Sequence, residues 1–254
     1  MLHLRRFGAG PEMVALHGFS MTGEQFSPFA AACGHTLIAP DLPGHGLSRT
    51  QACDIDSVLA SIESVLASLA RPRPLLGYSQ GGRLALLTAV ESPDDVSSLV
   101  LISATAGIRD TSARRDRADQ DAELAGRIEA IGLEAFVDSW TSAGITSVDH
   151  LSTDRRAWDR TVRSTNTSAG LSAALRGYGQ GAQPSIWDEL ATVSVPVLLI
   201  AGEEDDKYRS LNEEMADLIP DAEFRVIGGA RHNPMADKPE VTCEVVSEFL
   251  QRNR

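Results

Sequence analysis

Lysine and cysteine are scarce in this 254-residue chain. Only two of its 23 basic side chains are lysines, so arginine is the default cation and a single arginine carries little information about function. The three cysteines, Cys33, Cys53 and Cys243, are odd in number and widely scattered. That distribution predicts neither a disulfide framework nor a thiolate metal site. A reduced cytoplasmic protein is therefore the expectation.

Long apolar runs are missing as well. No stretch approaches the roughly 18 apolar residues of a membrane span, and MLHLRRFGAG at the start lacks the apolar region of a signal peptide. The chain is acidic, with 23 basic and 35 acidic side chains and a formal net charge of -12. This charge argues against nucleic-acid binding and against adhesion to anionic membranes, while leaving room for a small positive pocket.

Signatures of a bound metal or dinucleotide are also absent from the sequence. The six histidines lack the spacing of metal ligands. The segment HGFSMTG, which follows the first apolar run, is not a Gly-x-Gly-x-x-Gly fingerprint. His17 and His45 are interpreted as loop histidines whose hydrogen bonds are satisfied within the protein. We therefore expect no metal and no cofactor.

Short apolar runs alternate with helical stretches along most of the chain. Strands are predicted at 13–17, 36–39, 75–77, 99–103, 197–201 and 223–227, and helices at 24–32, 55–69, 81–90, 211–219 and 241–250. Apolar runs with little alternation indicate strands buried on both faces, as in a parallel sheet covered by helices. Right-handed crossovers between such strands produce a doubly wound α/β sheet.

Residues 105–180 interrupt this alternation. They contain no convincing strand, and text such as RRDRADQDAELAGRIEAIGLEAFVDSW is charged and helical. We interpret 105–180 as a helical lid inserted into an α/β core formed by 1–104 and 181–254. Ligands bind at the carboxyl ends of the strands in open α/β sheets, so the lid is expected to lie over that edge.

The segment LLGYSQGGRLAL contains Gly-x-Ser-x-Gly between a predicted strand and a predicted helix. This arrangement is typical of a nucleophile elbow, in which Gly77 and Gly81 leave room for a sharp turn and Ser79 lies at a helix N-terminus. A serine hydroxyl needs a histidine to accept its proton. His232, in ARHNPMADKP, follows the last predicted strand, where the order serine, acid, histidine requires it.

The acid is expected after the strand at 197–201, where the chain reads GEEDDK. Asp205 is the predicted acid and Asp206 the alternative, although a solvated acidic turn also explains the run. Its role is to orient the histidine and to stabilise the imidazolium. The oxyanion donors are predicted to be the backbone N–H groups of Gln80, after the serine, and of Phe19, in LHGFS.

The segments LHGFS, APDLPGHGLS, GYSQGGRLAL, GEEDDKY and ARHNPMADKP occur in this order over most of the chain. Together they resemble the α/β-hydrolase superfamily, and most closely the 2-succinyl-6-hydroxy-2,4-cyclohexadiene-1-carboxylate synthases of menaquinone biosynthesis. The resemblance implies a lyase that eliminates pyruvate from an enolpyruvyl cyclohexene carrying several carboxylates. It also implies that Ser79, activated by His232, acts as a base that removes a ring proton.

The same resemblance implies a set of substrate-binding residues for a small polycarboxylate. The set is Tyr78, Arg83, Arg117, Trp140 and Arg163. Arginine suits carboxylates because its planar fork binds them bidentately. Arg83 lies four residues after Ser79, on the same helix face. Arg114 and Arg115 are the alternatives to Arg117 if the motif is aligned a few residues earlier. The arginines of 105–180 are also compatible with a helix face exposed to solvent.

Other functions remain open at the level of sequence. A carboxylic ester, lactone or carbon–carbon bond hydrolase would use the same three residues to form an acyl-enzyme. A small-molecule receptor would keep the pocket without turnover, which an intact triad disfavours. After Trp140 the chain reads TSAGITSVDHL, where the implied family has a Pro-Leu-Phe-like stretch. No feature indicates the oligomeric state.

Overall fold

The protein was analysed as a computed structural model that describes residues 1–69 and 72–253. Within these ranges, one sheet is formed by β1 (Leu4–Phe7), β2 (Glu12–Leu16), β3 (Thr36–Pro40), β4 (Arg73–Tyr78), β5 (Val96–Ile102), β6 (Val197–Gly202) and β7 (Ala222–Ile227). The strand order is β1-β3-β2-β4-β5-β6-β7. β1 runs antiparallel to β3, and every other neighbouring pair is parallel. The predicted doubly wound, mostly parallel α/β-hydrolase sheet is confirmed.

The edge strand β1 was missing from the sequence prediction. Its residues, LRRF, alternate between exposed and half-buried positions, because successive side chains point to opposite faces of the sheet, and the strand lies at the edge with a partner on one side only. Two arginines interrupt the apolar pattern on which the prediction of strands relied. Charge on an edge strand is also a common protection against pairing with a further chain.

The central strands are buried on both faces, as their continuous apolar text predicts. Leu75 and Leu99 pack into a cluster on one face of the sheet. Their neighbours Leu76 and Val100 pack into a second cluster on the opposite face. Successive side chains of a strand point to opposite sides, so burial on both sides requires apolar residues at consecutive positions.

Helices cover both faces of the sheet. They are α1 (Ser27–Cys33), α2 (Ile55–Ala67), α3 (Gln80–Glu91), α4 (Thr111–Ile131), α5 (Leu133–Thr141), α6 (Thr153–Arg163), α7 (Ser168–Tyr178), α8 (Asp206–Leu218), α9 (Pro234–Asp237) and α10 (Pro239–Arg252). Helices α2, α3 and α8 contribute to the first apolar cluster, and α1 and α10 to the second. None of the helices in the described ranges is long and apolar enough to cross a membrane.

Helix α8 begins five residues before its predicted start at 211. The side chain of Asp205 caps it by accepting the backbone N–H of Tyr208. An aspartate at this position satisfies one of the free N–H groups of the first turn. The last two acids of the run, Asp205 and Asp206, therefore form the start of the helix, and the first two, Glu203 and Glu204, lie in the turn before it.

Helices α4 to α7 form a separate layer between β5 and β6 in the chain. They have a small apolar core of their own, made by Ala125, Ile128, Phe136, Val137, Leu171 and Leu175. Phe19, in the loop after β2, and Trp140, on α5, pack against this core. No strand interrupts this layer in the residues described between β5 and β6. The division of the chain at 105 and 180 stays a prediction.

A disulfide joins Cys33, at the end of α1, to Cys243, on α10. The expectation of a chain without disulfides is therefore wrong. The two cysteines are 210 residues apart in sequence, but their Cα atoms are 5.0 Å apart because α1 and α10 cover the same face of the sheet. Sequence spacing could not show this neighbourhood. Cys53 has a free thiol.

We expect the oxidised protein to expose one titratable thiol in denaturant, from Cys53, and three after reduction. Replacing Cys243→Ser should lower the free energy of unfolding by about 2–4 kcal/mol, because the crosslink restricts the unfolded chain. Denaturant titrations with and without reductant measure the difference. Cys53→Ser is the matched control and should keep the wild-type midpoint. Three thiols in the denatured protein after treatment with oxidised glutathione would contradict the disulfide.

Candidate active site

Ser79 occupies the sharp turn between β4 and α3. Its φ is +50°, in the left-handed region that residues other than glycine rarely adopt. A Cβ at position 77 would lie 2.4 Å from the carbonyl oxygen of Gly81, and one at position 81 would lie 2.1 Å from that of Leu16. Both positions require glycine because α3 starts so close to the ends of β2 and β4. This turn holds Ser79 at the carboxyl edge of the sheet.

Three polar side chains from separate loops meet at this edge. The Nε2 atom of His232 is 3.1 Å from Oγ of Ser79, and its Nδ1 atom is 2.6 Å from Oδ2 of Asp205. His232 and Asp205 are buried. In this geometry the imidazole can accept the serine proton, and the carboxylate can stabilise the imidazolium that forms.

Asp206, the alternative acid, has a different environment. Its side chain is 94% exposed and forms an ion pair of 2.9 Å with Arg209, one turn along α8. The contact with His232 is made by Asp205 instead. The geometry therefore favours Asp205 as the acid of the triad.

The loop after β2 carries Phe19, whose backbone N–H is one of the two predicted oxyanion donors. The next residue, Ser20, has a φ of +63°. Two residues from the layer of α4 to α7, called the lid layer after the prediction above, hold it: Asn166 donates from Nδ2 to the carbonyl oxygen of Ser20 at 2.7 Å, and the guanidinium of Arg163 donates to its Oγ. The backbone beside the predicted oxyanion donor is thus held by Asn166 and Arg163 of this layer. No motif in the sequence indicated Ser20 or Asn166.

Two buried histidines support the same loop without titrating near neutral pH. His17 accepts the backbone N–H of Leu42 at 2.9 Å, and His45 accepts that of Ser20 at 3.3 Å. Burial lowers the pKa of His17 to about 4 and that of His45 to about 3. Both imidazoles are therefore neutral, with a structural role that agrees with the interpretation of the sequence.

A cavity of about 420 Å³ opens beside Ser79, between the sheet edge and the lid layer. Of the residues predicted from the sequence, Phe19, Gln80, Arg83, Arg117 and Trp140 line it. Sequence reasoning missed further lining residues: Gln180, Lys207 and Tyr208. Its volume is within the range of ligand sites, about 300–1,000 Å³. We call it the main cavity.

A second, smaller cavity of about 60 Å³ also reaches Ser79 and His232. The remaining predicted residues, Tyr78 and Arg163, line it, and Trp140 borders both cavities. The five predicted substrate-binding residues therefore surround Ser79 but divide between two spaces. Arg114 and Arg115, the alternative register, are outside the linings of both cavities.

The three predicted arginines differ in how their charges are balanced. Arg117 pairs with Asp121 at 2.8 Å, and Arg163 pairs with Asp159 at 2.6 Å. Arg83 is buried, and its guanidinium donates to a neutral amide, Oε1 of Gln183, at 2.5 Å. None of the ion pairs found in the described ranges includes Arg83.

Burial lowers the pKa of Arg83 to about 10, so the guanidinium stays charged at neutral pH. A buried cation without a carboxylate partner is costly in free energy. Arg83 lies one turn from Ser79 on α3 and faces the main cavity. The site is therefore prepared for an anionic group next to the serine.

The assignment of the acid predicts different effects at two adjacent positions. Asp205→Asn should slow covalent labelling of Ser79 by a fluorophosphonate by about 10³-fold, because His232 loses the carboxylate that orients it. Asp206→Asn, at the exposed neighbour, should label within about twofold of the wild-type rate. Mass spectrometry of the labelled peptide gives both rates. Equal slowing in the two variants would contradict the assignment.

Comparisons with known proteins agree with this geometry. Residues 13–245 match the alpha/beta hydrolase family. The chain is 36% identical, over 95% of its length and 91% of the relative, to a putative 2-succinyl-6-hydroxy-2,4-cyclohexadiene-1-carboxylate synthase of Bacillus subtilis (strain 168). It is 29% identical to the synthase of that name from Escherichia coli O1:K1, over 95% of this chain and 94% of the relative.

Solved structures of other proteins also superpose on this chain. MenH from S. aureus superposes with a TM-score of 0.94 at 27% identity, covering 100% of this chain and 99% of that one. An esterase from Exiguobacterium antarcticum, at 20% identity and a TM-score of 0.82 over 98% of this chain and 95% of that one, shares the fold. The chain therefore belongs to the alpha/beta hydrolase family and is an enzyme of its serine-triad type.

Proposed function

We propose that this enzyme is a carbon–oxygen lyase of menaquinone biosynthesis. Its substrate would be 2-succinyl-5-enolpyruvyl-6-hydroxy-3-cyclohexene-1-carboxylate, from which it eliminates pyruvate. The similarity to the Bacillus subtilis and Escherichia coli synthases supports the reaction. The observation that carries the proposal is Arg83, a buried cation beside Ser79 that has no carboxylate partner among the ion pairs of the described residues. A neutral ester would leave that charge unpaired, whereas this substrate has carboxylates to offer it.

In the proposed reaction, the triad moves a proton and forms no acyl-enzyme. His232 accepts the proton of Ser79 Oγ, and the oxygen removes a proton from the substrate ring. The electrons of that carbon–hydrogen bond form a new double bond in the ring, and the existing ring double bond shifts by one position to the carbon that carries the enolpyruvyl group. The carbon–oxygen bond to the enolpyruvyl group breaks, and this group leaves as the enolate of pyruvate, which is then protonated on carbon.

Negative charge develops on the substrate while the ring proton is being removed. In this proposal, the backbone N–H groups of Phe19 and Gln80 donate hydrogen bonds to the substrate oxygen that carries this charge. Such preorganised donors contribute about 10²–10³ in rate each, because they need no reorganisation during the reaction. The hydrogen bonds of Asn166 and Arg163 to Ser20 support this role by fixing the loop.

The proposed binding site uses the five residues that the sequence suggested. Arg83 binds a substrate carboxylate directly, while Arg117 and Arg163 share their charges with Asp121 and Asp159. Trp140 and Tyr78 complete the walls on either side of Ser79. We further propose that 105–180 is a lid that covers this site. Its helices supply Arg117, Trp140 and Arg163.

We also propose a cytoplasmic enzyme that binds neither nucleic acid nor membranes and requires no metal or cofactor. The net negative charge of the chain supports the absence of nucleic-acid and membrane binding. The proposed chemistry supports the absence of a metal or cofactor, since proton transfer and elimination leave the redox state of the reactants unchanged. Disulfides are uncommon in cytoplasmic proteins, so the redox state of Cys33 and Cys243 in cells tests the location directly.

The proposed reaction predicts pyruvate release from the enolpyruvyl intermediate, supplied freshly by its upstream enzyme and followed by coupling to lactate dehydrogenase. Ser79→Ala at equal concentration corrects for elimination that occurs without catalysis. Wild type should exceed this variant by several orders of magnitude, since the triad acts as a unit. Equal rates would contradict the lyase, and burst kinetics on p-nitrophenyl esters would then favour an ester or lactone hydrolase.

Arg83→Met separates the two chemistries further. It should reduce kcat/KM for pyruvate release by about 10²-fold, because a hydrogen bond to a charged group is lost. Hydrolysis of the neutral ester p-nitrophenyl acetate should change by less than about threefold. Arg115→Met, on the exposed face of α4, is the matched control and should leave both rates unchanged. Equal losses on the two substrates would contradict a carboxylate-binding role for Arg83.

A further inference from the structure

The charged residues that line the main cavity all have the same sign. They are Arg83, Arg117 and Lys207, and the lining contains no aspartate or glutamate. The chain as a whole has a net charge of -12, so this cavity differs from the average surface. The smaller cavity is different, because its arginines are accompanied by Asp159 and Asp237. The main cavity is thus the space suited to a ligand with several negative charges.

Lys207 is one of only two lysines in the chain, the other being Lys238. It lies on the first turn of α8, two residues after Asp205, with Nζ 5.4 Å from the centre of the Tyr208 ring. The ion pairs found in the described ranges do not include Lys207. Lys207 lines the main cavity, although the residue as a whole is exposed to solvent.

Lys207 and Arg117 also influence each other electrostatically. Partial burial lowers the pKa of Lys207, and the nearby charge of Arg117 lowers it further, while Asp205 acts in the opposite direction. Two neighbouring cations on a cavity wall repel each other until an anion lies between them. Arg117 is held in place by Asp121 and by Gln180, so the flexible lysine is the partner that can adapt.

We propose that Lys207 and Arg117 together bind one carboxylate of the substrate in the main cavity, separate from the carboxylate that Arg83 binds. This inference rests on the proposed polycarboxylate substrate and adds a specificity residue from α8. Arg83 comes from α3, Arg117 from α4 and Lys207 from α8, so the cations approach Ser79 from different elements. A ligand must therefore present at least two carboxylates that are separated in space in order to pair with all three cations.

Kinetics of pyruvate release test this role. Lys207→Met should raise KM by about tenfold or more, with kcat within about threefold, because it removes a contact to a carboxylate that does not react. Lys207→Arg keeps the positive charge, so its KM should stay closer to the wild-type value than that of Lys207→Met. Lys238→Met removes the other lysine, which is also exposed but lies outside the lining of the main cavity, and its KM should match wild type. An unchanged KM in Lys207→Met would overturn the inference.

A chemical experiment tests the same site without using turnover. Wild-type protein is treated with limiting sulfosuccinimidyl acetate, and the acetylation of Lys207 and Lys238 is compared by mass spectrometry within the same molecules. Tricarballylate, a simple tricarboxylate, should slow acetylation of Lys207 and leave that of Lys238 unchanged. Its trimethyl ester, without charge, should protect neither lysine. Absence of selective protection by tricarballylate would overturn the inference.

The two experiments also distinguish this inference from the proposed function. Protection of Lys207 by tricarballylate, in a protein that releases no pyruvate, would support the anion site and contradict the lyase. Efficient pyruvate release, with an unchanged KM in Lys207→Met and no protection of Lys207, would support the lyase and overturn the role of Lys207. Loss of selective protection in Arg117→Met would support the pairing of Lys207 with Arg117, and retained protection would overturn that pairing.

Discussion

The close approach of α3 to the ends of β2 and β4 is the constraint on which the whole site depends. It leaves no space for a side chain at Gly77 or Gly81 and keeps Ser79 in a left-handed backbone conformation. With the serine fixed, the loops after β6 and β7 need only supply Asp205 and His232 at the same sheet edge. Packing free energy from a sheet buried on both faces offsets the cost of this strained turn.

The sequence predicted those parts of the molecule that are encoded locally. Ser79 and His232 were predicted from short motifs that follow apolar strands, and the structure brings their side chains within 3.1 Å. The strands were predicted because burial on both faces requires a continuous run of apolar residues. The pattern around Asp205 was ambiguous, since four acids in a row look alike in sequence. Only the three-dimensional structure separates Asp205, which contacts His232, from Asp206, which is exposed.

Features that depend on long-range contacts were missed for a physical reason. The disulfide of Cys33 and Cys243 joins helices that become neighbours only after the sheet has formed. The hydrogen bond of Asn166 to Ser20 spans 146 residues and belongs to no motif. β1 was missed because its two arginines interrupt the apolar pattern by which the other strands were predicted. Lys207 has the sequence context of an ordinary surface lysine, and only the charge of the cavity beside it suggests a role.

The bonds from Asn166 and Arg163 to Ser20 have a consequence for how this scaffold can diversify. Exchange of the lid layer for one without counterparts of Asn166 and Arg163 would remove the groups that hold Ser20, and would disturb the neighbouring Phe19 at the same time. None of the described hydrogen bonds joins the segment between α5 and α6 to Ser20, but its His150 bonds to Asp237 and Arg231 in the loop of His232. The short connection around Ile145 and Thr146 lines both cavities and has neither link. New substrate ranges should therefore be sought by redesigning that short connection, with α6 and the turn after it left as found.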